Sequence, residues 1–458
     1  IFNQSLSTGD VPRDWRIGKV IPIHKDGSKL CPLNYRPITL VSAPCKLLEH
    51  VIFSNLTDYL ESCSFFYPHQ HGFRRGYSCA PQLALFIHDL SSNLDTGVHT
   101  DVIFLDFKKA FDKVPHDRLI SMLTQLNLPG TLLRWITNYL SLHEQFTFVN
   151  DFSSCLLPVK SGVPQGSVLG PLLFLIYIND LPNNLSSSVR LFADDCVVYR
   201  PIVSPANRSV LQSDLLSIEL WCSTWLMPLN LSKCFFLHIG KQQNLFPYTL
   251  FNTPITNTQC YKYLGLHISS NLHWHNHINH VTSNSGRSLG YIKCNLRHAP
   301  NHVKRPAYTT FIRPKLEYAS CIWDPHQSFL SDAIEAIQNR SVRFIVSDYS
   351  SSTSVSELKS ACGLHPLAVR RMLHSLLLFH RFFHCHTLSA SYIHPAHYIS
   401  QRLDNPYTNV NPTQAVQPVF LTPSSHELSS CGTPYPHLLY LRLIHPHSSS
   451  RSFLTYIS

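Results

Sequence analysis

The sequence lacks several features that would assign it to whole classes of protein. It has no stretch of about 18 uninterrupted apolar residues, so we expect no membrane-spanning helix. Its 14 cysteines include no Cys-x-x-Cys pair, which argues against a zinc ribbon, and they are too dilute for a disulfide scaffold in 458 residues. The chain begins at Ile1 without a methionine or a signal-peptide pattern. We therefore expect an intracellular protein with reduced thiols, and an internal fragment of a longer gene product.

What is present is enough apolar sequence for a large core, together with an excess of positive charge. The chain is 44% hydrophobic, and its length suffices for two or three domains. Lys and Arg total 37 against 27 Asp and Glu, which gives a formal net charge of +10. Residues 281–381 carry 13 basic and 6 acidic side chains. A basic surface attracts polyanions such as nucleic acid, although ordinary surface charge for solubility explains the same excess.

Apolar periodicity predicts a protein of mixed strands and helices. Strands are predicted at 20–23, 102–105 and 261–268, the last bent at Gly265, and helices at 45–60, 119–126, 132–140 and 168–178. Two apolar arms around Asp194 and Asp195 predict a β-hairpin with the acids at its tip. Helical patterns dominate from about 271 to 386. The stretch from 387 to 458 is rich in Ser, Pro and His, which predicts a low-complexity, disordered or degenerate tail.

Three carboxylates are the strongest chemical signal in the chain. Asp106 closes a predicted strand, and Asp194 and Asp195 lie between apolar arms much later in the sequence. Burying a carboxylate is unfavourable unless it is paired, and no basic residue adjoins the Asp-Asp pair, so bound cations are indicated. Hard oxygen ligands in this number suit Mg²⁺. We expect Asp194 to be the direct ligand and Asp195 the more peripheral one; a solvated Asp-Asp turn is the alternative.

Longer motifs around these acids resemble those of retroelement reverse transcriptases. Residues 104–116 resemble the first catalytic motif, 162–171 the template-gripping motif, and 192–195 the catalytic hairpin in its non-LTR variant. Flanking matches to the two fingers motifs, the motif after the hairpin and the primer-grip region lie at 34–38, 70–74, 225–233 and 261–265. The helical stretch after Trp274 resembles the thumb of jockey-like elements. In order and spacing the chain resembles the reverse transcriptase of a non-LTR, LINE-type, jockey-like retrotransposon.

The resemblance implies an α+β fold, the right-hand polymerase, with fingers, a palm of antiparallel sheet packed on helices, and a helical thumb. Fingers and palm would occupy residues 1–270, and the thumb or connection would occupy 271–386. The implied activity is RNA-directed DNA polymerisation in retrotransposition, with an RNA template, a DNA primer or target DNA, and deoxynucleoside triphosphates. The implied location is the nucleus and cytoplasm, as a ribonucleoprotein of the element.

The resemblance also implies roles for individual residues. Asp106, Asp194 and Asp195 would be catalytic and would hold two Mg²⁺ ions, with Mn²⁺ as a substitute. The implied nucleotide-binding residues are Arg36, Lys25, Phe111, Gln165, Gly166 and Lys233. The implied nucleic-acid-binding residues are Arg74, Tyr263, Leu264, Gly265, Arg287, Lys293 and Arg297.

Some of these roles keep a plainer alternative. Phe111 would exclude a ribose 2′-hydroxyl, but a core aromatic at a helix start is its alternative. For Lys25, Arg74 and Lys233 the alternative is a solvated basic side chain. Asp112 is expected either to support the site or to lie at the start of a helix, in both cases without binding metal.

Other functional interpretations stay open as well. The chain could be an inactive retroelement remnant that at most binds nucleic acid, or a maturase, although its tail does not resemble a maturase extension. Neither an endonuclease domain nor a zinc knuckle is visible in the sequence. The histidines at 273, 275, 277 and 280 resemble a chelating cluster, but no cysteine or carboxylate lies among them, and we do not predict a metal there.

Overall fold

The computed structural model describes residues 1–25, 27–241 and 246–384. The tail predicted from residue 387 therefore lies outside the described residues. The chain divides into two compact units, Ile1–His280 and Val281–Ser458, which we call the first and second unit. The assignment of fingers, palm and thumb to these regions stays a prediction. None of the described helices is both long and apolar enough to cross a membrane.

The first unit mixes strands and helices, as the apolar periodicity predicted. Its strands are β1 (Ile17–His24), β2 (Tyr35–Leu40), β3 (His99–Leu105), β4 (Glu144–Val149), β5 (Phe152–Ser153), β6 (Leu157–Pro158), β7 (Ser188–Phe192), β8 (Asp195–Ile202), β9 (Phe235–Ile239), β10 (Thr249–Leu250), β11 (Thr253–Pro254), β12 (Thr256–Asn257), β13 (Cys260–Tyr263) and β14 (Leu266–Ser269). Its helices are α1 (Phe2–Thr8), α2 (Ala43–Ser62), α3 (Cys79–Asp95), α4 (Ala110–Lys113), α5 (His116–Thr124), α6 (Gly130–Ser141), α7 (Leu169–Ile178) and α8 (Pro205–Thr224). Short 3₁₀ turns cover Arg13–Trp15, Pro32–Asn34, Leu181–Asn184 and Leu231–Lys233.

A five-stranded sheet in the order β12-β9-β3-β8-β7 forms the centre of the first unit. Strand β3 lies in its middle and pairs antiparallel with both β8 and β9. The run 102–105 is buried along its whole length, because strands cover β3 on both edges and helices pack on the sheet. The predicted strand at this position is confirmed.

Helix α7 supplies much of the core beside this sheet. Nine of its ten residues are buried, from Leu169 to Ile178, and this explains why the sequence is apolar on every face of the helix. Each large apolar side chain buried here contributes about 1.5–3 kcal/mol relative to an exposed one. The predicted buried helix is confirmed.

A second sheet contains β1 and β2 as an antiparallel hairpin, with β4 parallel to β1 on its other edge. The 3₁₀ turn Pro32–Asn34 leads directly into β2, and Arg36 pairs with Ile23. The hairpin therefore presents Lys25 and Arg36 near one end of the sheet.

The region 261–268 is a hairpin, so the prediction of one bent strand is wrong. Tyr263 pairs with Leu266, and the two residues between them, Leu264 and Gly265, both have positive φ, at 43° and 87°. A two-residue hairpin turn needs such left-handed conformations. Apolar residues on both sides of Gly265 gave the sequence no signal that separates a bend from a full reversal.

The described part of the second unit is helical, as predicted for 271–386 up to His384. Helix α9 (His275–Asn295) enters it, followed by α10 (Asn301–Phe311), α11 (Arg313–Glu317), α12 (Ser320–Trp323), α13 (Ser328–Val346), α14 (Val355–Ala361) and α15 (Leu367–His384). On α13 the residues at helical spacing along one face are all buried, namely Leu330, Ile334, Ile337 and Ser341. Ion pairs such as Lys359–Glu335 and Arg371–Asp324 join its helices.

Candidate active site

Three carboxylates converge at one edge of the central sheet. Leu105, the last residue of β3, pairs with Cys196 on β8. The residue that follows β3, Asp106, therefore lies opposite Asp195 at the start of β8. Phe192 pairs with Asp195, which leaves Ala193 and Asp194 as the two-residue turn of the β7–β8 hairpin. The structure thus brings together the acids that the sequence analysis singled out.

Burial, together with the charges of neighbouring carboxylates, shifts the ionisation of Asp194 and Asp195. Burial raises the pKa of Asp194 above its ordinary value, and the negative charge of Asp106 raises it further. The pKa of Asp195 rises to about 6, first through burial among neighbouring groups and then through Asp194 and Asp106. Although Asp195 is open to solvent, its charged form is disfavoured until a cation compensates it.

The donor set fits a hard divalent cation, without forming a complete protein cage. Among the described residues, none of the three acids forms an ion pair with Lys or Arg. In the same part of the chain, no three His, Cys, Asp or Glu side chains are placed to enclose one metal ion. Mg²⁺ usually takes one or two carboxylates from the protein and its other ligands from phosphates and water. The carboxylate oxygens of the three acids are ligands of the type that Mg²⁺ takes from a protein, and a bound cation would offset their mutual repulsion.

Two predicted phosphate contacts lie close enough to act on the acids. Arg36 on β2 and Lys25 just after β1 are both exposed. The positive charge of Lys25 lowers the pKa of Asp194 and Asp195, and that of Arg36 lowers the pKa of Asp194. Both cations therefore lie near the carboxylates without being paired to them.

The turn at Ala193 and Asp194 is held by Gln70, a residue of the motif at 70–74 for which no role was predicted. Ala193 has a φ of 55°, a left-handed conformation that is uncommon for an alanine. The buried Gln70 side-chain oxygen accepts hydrogen bonds from the backbone N–H of Ala193 at 3.0 Å and of Gly72 at 2.8 Å. A Cβ on Gly72 would lie 2.3 Å from the Ala193 nitrogen, so only glycine allows this approach. The only available signal was the place of Gln70 as the first residue of the motif at 70–74.

Arg74 serves the same loop, and its predicted contact with nucleic acid is not supported. Its guanidinium donates to both carboxylate oxygens of Glu61, at 2.9 Å and 2.7 Å, and its side chain is only 7% exposed. The guanidinium also lies 4.4 Å from the centroid of the Tyr77 ring. A fork held by a carboxylate in this way is no longer available to phosphate. The sequence could not reveal the Glu61 partner on α2.

The loop with Gln165 and Gly166 packs against β2. The Gln165 amide donates to the Asp112 carboxylate at 2.8 Å, and the backbone N–H of Thr39 donates to the Gln165 carbonyl at 2.6 Å. Gly166 has a φ of 114°, and a Cβ there would lie 2.5 Å from the Thr39 carbonyl oxygen. Asp112 thus has the supporting contact expected of it, and burial raises its pKa. A cavity of about 470 Å³ opens beside Asp112 and Gln165.

A buried glutamate fixes the helix that follows this loop. The Glu49 carboxylate accepts hydrogen bonds from the backbone N–H groups of Val168 at 2.7 Å and Leu169 at 3.1 Å, and from the Tyr139 hydroxyl at 3.2 Å. A carboxylate at a helix N-terminus is stabilised by the unpaired N–H groups and the helix dipole. Glu49 was not singled out from the sequence, because an acid within an amphipathic helix has no distinguishing pattern.

Phe111, the predicted sugar gate, lies just beyond Asp106 on α4. Its ring stacks on the buried Phe174, with centroids 4.4 Å apart. The ring of Phe73 meets it edge-on at 6.2 Å. Phe111 itself is half-buried, so one side of the ring remains accessible.

The β13–β14 hairpin contains two tyrosines, Tyr261 and Tyr263, of which Tyr263 was predicted to contact nucleic acid. Tyr263 is 3% exposed and its hydroxyl accepts from the buried Gln82, so it belongs to the core and cannot offer its ring to nucleic acid. Tyr261 stacks on Phe104 at 3.9 Å. Burial raises the Tyr261 pKa to about 12, and the charges of Asp195 and Asp106 add to the shift. Leu264 and Gly265 form the turn.

The remaining predicted contacts are basic residues with different exposure. Lys233 is exposed in a 3₁₀ turn that follows Asn230, whose N–H donates to the Asp106 carbonyl at 2.7 Å. In the second unit Arg287 and Arg297 are exposed. Lys293 is half-buried, with its ammonium 5.7 Å from the centroid of Tyr349. Because Lys233, Arg287 and Arg297 are exposed, their side chains can reach a phosphate group. Lys293 is less accessible and is therefore the weakest of the four candidates for a phosphate contact.

Of the four clustered histidines only His277 is buried, whereas His273, His275 and His280 are exposed. His277 is 2% exposed, and its Nδ1 accepts the backbone N–H of His267 at 3.3 Å. Burial lowers the pKa of His277 to about 3, and the neighbouring His267 and His280 lower it further. Such a neutral, buried ring stabilises the start of α9.

Comparison with known proteins agrees with this geometry. The family model for "Reverse transcriptase (RNA-dependent DNA polymerase)" matches residues 23–268, more than half of the chain. The chain is similar to the probable RNA-directed DNA polymerases of transposon BS and of transposon X-element from Drosophila melanogaster. Each is 28% identical over 362 residues, or 75% of this chain, and this covers 40% and 39% of their lengths. The polymerase of mobile element jockey from the same organism is 28% identical over 61% of this chain and 32% of its own length.

Among solved structures, apo telomerase from Candida Tropicalis aligns with 82% of this chain and 67% of its own at 10% identity, with a TM-score of 0.46. That likeness is too low to support a conclusion. The match to the family model includes all three convergent carboxylates and the loop that carries Gln165, and the chain therefore belongs to the reverse transcriptase (RNA-dependent DNA polymerase) family.

Proposed function

We propose that this chain is the polymerase region of a jockey-like non-LTR retrotransposon protein. It would extend a DNA primer on an RNA template with deoxynucleoside triphosphates. The observation that carries the proposal is the convergence of Asp106, Asp194 and Asp195 without basic partners. The relatives are named as RNA-directed DNA polymerases of transposons, and this chain spans 40% or less of the length of those three.

The three acids would hold two Mg²⁺ ions, or Mn²⁺ in their place, with Asp106 and Asp194 as the direct ligands. When bound, such ions lower the pKa of the primer 3′-hydroxyl and neutralise charge on the triphosphate. The reaction is an in-line attack by that hydroxyl on the α-phosphate, with pyrophosphate as the leaving group. The residues of the chain contribute positioning and charge, with no covalent enzyme intermediate.

Residues around the acids would then bind the incoming nucleotide. Arg36, and less directly Lys25, would contact the triphosphate, since their charges already act on Asp194. Phe111 would lie under the sugar and exclude a 2′-hydroxyl. The Gln165–Gly166 loop would contact the nascent base pair, held in place by Asp112 and Thr39. Lys233 is proposed to donate a proton to the leaving pyrophosphate.

The template and primer would be bound mainly through their backbones. Exposed Arg287 and Arg297 offer phosphate contacts that give affinity without sequence selection. An RNA–DNA hybrid is recognised chiefly by its shape, its phosphates and its 2′-hydroxyls. The intact acids and Gln165 give no support to an inactive remnant of the same fold.

The proposal is tested by primer extension on an RNA template with the full 458-residue chain. The assay would contain Mg²⁺ and deoxynucleotides, and would compare the intact chain with the double variant Asp194→Ala, Asp195→Ala. The matched control is Asp58→Ala, Asp117→Ala, which removes two exposed acids of the first unit. We expect extension by the intact chain and the control only. If the intact chain extends no better than the double variant, the proposed activity is refuted.

A further inference from the structure

Phe73 combines exposure with an unfavourable backbone conformation. Its side chain is 53% exposed, although it is a large aromatic residue. Its φ is 53°, in the left-handed region that a bulky residue rarely adopts. A residue kept in such a conformation by its surroundings, next to an active site, is a reason to look for a function.

The surroundings fix this conformation from both sides. On the N-terminal side Gln70 bonds to the backbone of Gly72, which touches the turn at Ala193. On the C-terminal side the guanidinium of Arg74 is held by Glu61. Phe73 is therefore clamped between two anchored neighbours, and its position relative to the catalytic hairpin is set by the fold.

The clamped ring meets the predicted sugar gate. Phe73 contacts Phe111 edge-on, with centroids 6.2 Å apart and an interplanar angle of 80°. Phe174 lies against the Phe111 ring at 4.4 Å and 23°. Phe111 is thus supported on one face by a core residue and flanked by an exposed one. Edge-to-face contact of this kind is favourable beyond the burial of apolar area.

We propose that Phe73 is a positioning residue for sugar selection, which keeps the Phe111 ring from tilting away when a ribose 2′-hydroxyl presses against it. The inference rests on the proposed polymerase function and on the role of Phe111 in it. With Phe174 beneath the ring and Phe73 at its edge, Phe111 forms a rigid wall. Without Phe73 the same ring has room to move into solvent.

The test measures incorporation of a deoxynucleotide against the matching ribonucleotide, as kcat/KM for each, by the full chain on an RNA template. Phe73→Ala is expected to lower the discrimination about fivefold, the size of one aromatic pair contact. The loss should come mainly from better use of the ribonucleotide, and Phe73→Tyr should restore it because the ring is kept. Phe152→Ala is the control, since Phe152 is an exposed aromatic of the first unit outside this site.

A double-mutant cycle separates positioning from a general loss of structure. In a Phe111→Val background, Phe73→Ala should change the discrimination no further, because there is no ring left to position. Unchanged discrimination in Phe73→Ala, or an equal effect in both backgrounds, would overturn the inference.

Binding gives a readout that does not require turnover. The same variants would be tested for retention of dCTP against CTP, which differ only in the 2′-hydroxyl, on a dideoxy-terminated primer–template with Ca²⁺. Selective retention that Phe73→Ala weakens supports the inference even if extension fails, and equal retention by intact chain and variant contradicts it. Failure of the intact chain to extend any primer counts against the proposed function alone.

Discussion

One aspartate lies near the start of β3 and another directly follows its end. The two have opposite electrostatic surroundings. Asp101, near the start, is fully buried and has three partners inside the protein. Its carboxylate bonds to Nδ1 of His238 at 2.6 Å and accepts from the Tyr248 hydroxyl at 2.7 Å, and the Arg208 Nε lies 3.5 Å away. Asp106, just past the end, faces Asp194 and Asp195 instead.

The comparison shows how the same residue type serves structure at one end and chemistry at the other. A carboxylate whose charge is compensated within the chain holds elements together, as Asp101 joins β3 to β9 and α8. Carboxylates that adjoin one another without an ion-pair partner leave most of the charge compensation to something that binds. The structural and the catalytic carboxylates are distinguished by the groups that surround them, and burial alone does not separate them.

The largest expected effect comes from removing the charge at the catalytic end. Asp106→Asn should lower the rate of primer extension by roughly 10³-fold, since loss of one preorganised electrostatic contact at a reacting centre costs about that much. Thermal unfolding of the metal-free variant should occur no lower than that of the intact chain, because a repulsive charge is gone. A clear loss of stability would show that Asp106 is structural.

Removing the charge of Asp101, near the start of β3, should affect the stability of the fold instead of catalysis. Asp101→Asn leaves Arg208 without its counter-charge and is expected to lower the free energy of unfolding by about 3 kcal/mol. Urea denaturation would measure this, with the exposed Asp58→Asn as the control. Extension activity per folded molecule should remain near that of the intact chain, and a loss comparable to that of Asp106→Asn would erase the contrast.

A smaller effect concerns pH, through the raised pKa of Asp195, about 6. Because one proton competes with the cation, the Mg²⁺ concentration for half-maximal extension should rise about tenfold for each pH unit below 6.

In the metal-free chain the free energy of unfolding should depend on pH in the opposite direction, with greater stability at low pH. A raised pKa contributes stability that is present below the unfolded pKa and is lost as pH rises through about 6. Asp195→Asn should weaken the pH dependence of the Mg²⁺ requirement and that of the stability of the metal-free chain. If neither pH profile changes in this variant, Asp195 is not part of the cation site.

Much of this site could be predicted from sequence, because its parts are local. A strand that ends on an acid and a hairpin with acids at its tip follow from short apolar runs, and the structure confirms both at Asp106 and at Asp194. The buried helix α7 followed from a long apolar run that only Gly170 and Pro171 interrupt. The chemistry of the cluster then followed from ordered motifs around these elements.

The residues whose roles were missed or misjudged depend on contacts made in the folded chain, two of them with partners more than 100 positions away. Gln70 holds Ala193 across 123 positions, and Glu49 holds Val168 across 119. Arg74 had the sequence context of a nucleic-acid contact, but Glu61 occupies it. Tyr263 lies in the predicted motif, yet the hairpin reversal at Gly265 places it in the core. Such pairings are set by the tertiary fold, which single-sequence patterns do not encode.

The central claim is that the acids from β3 and from the β7–β8 hairpin share bound divalent cations. Electron paramagnetic resonance of Mn²⁺ would count the ions bound by the full chain with a dideoxy-terminated primer on RNA and the next deoxynucleotide. We predict two tightly bound ions for the intact chain and for Asp58→Asn, and fewer for Asp106→Asn and Asp194→Asn alike. If Asp106→Asn binds as many ions as tightly as the intact chain does, the shared site does not exist.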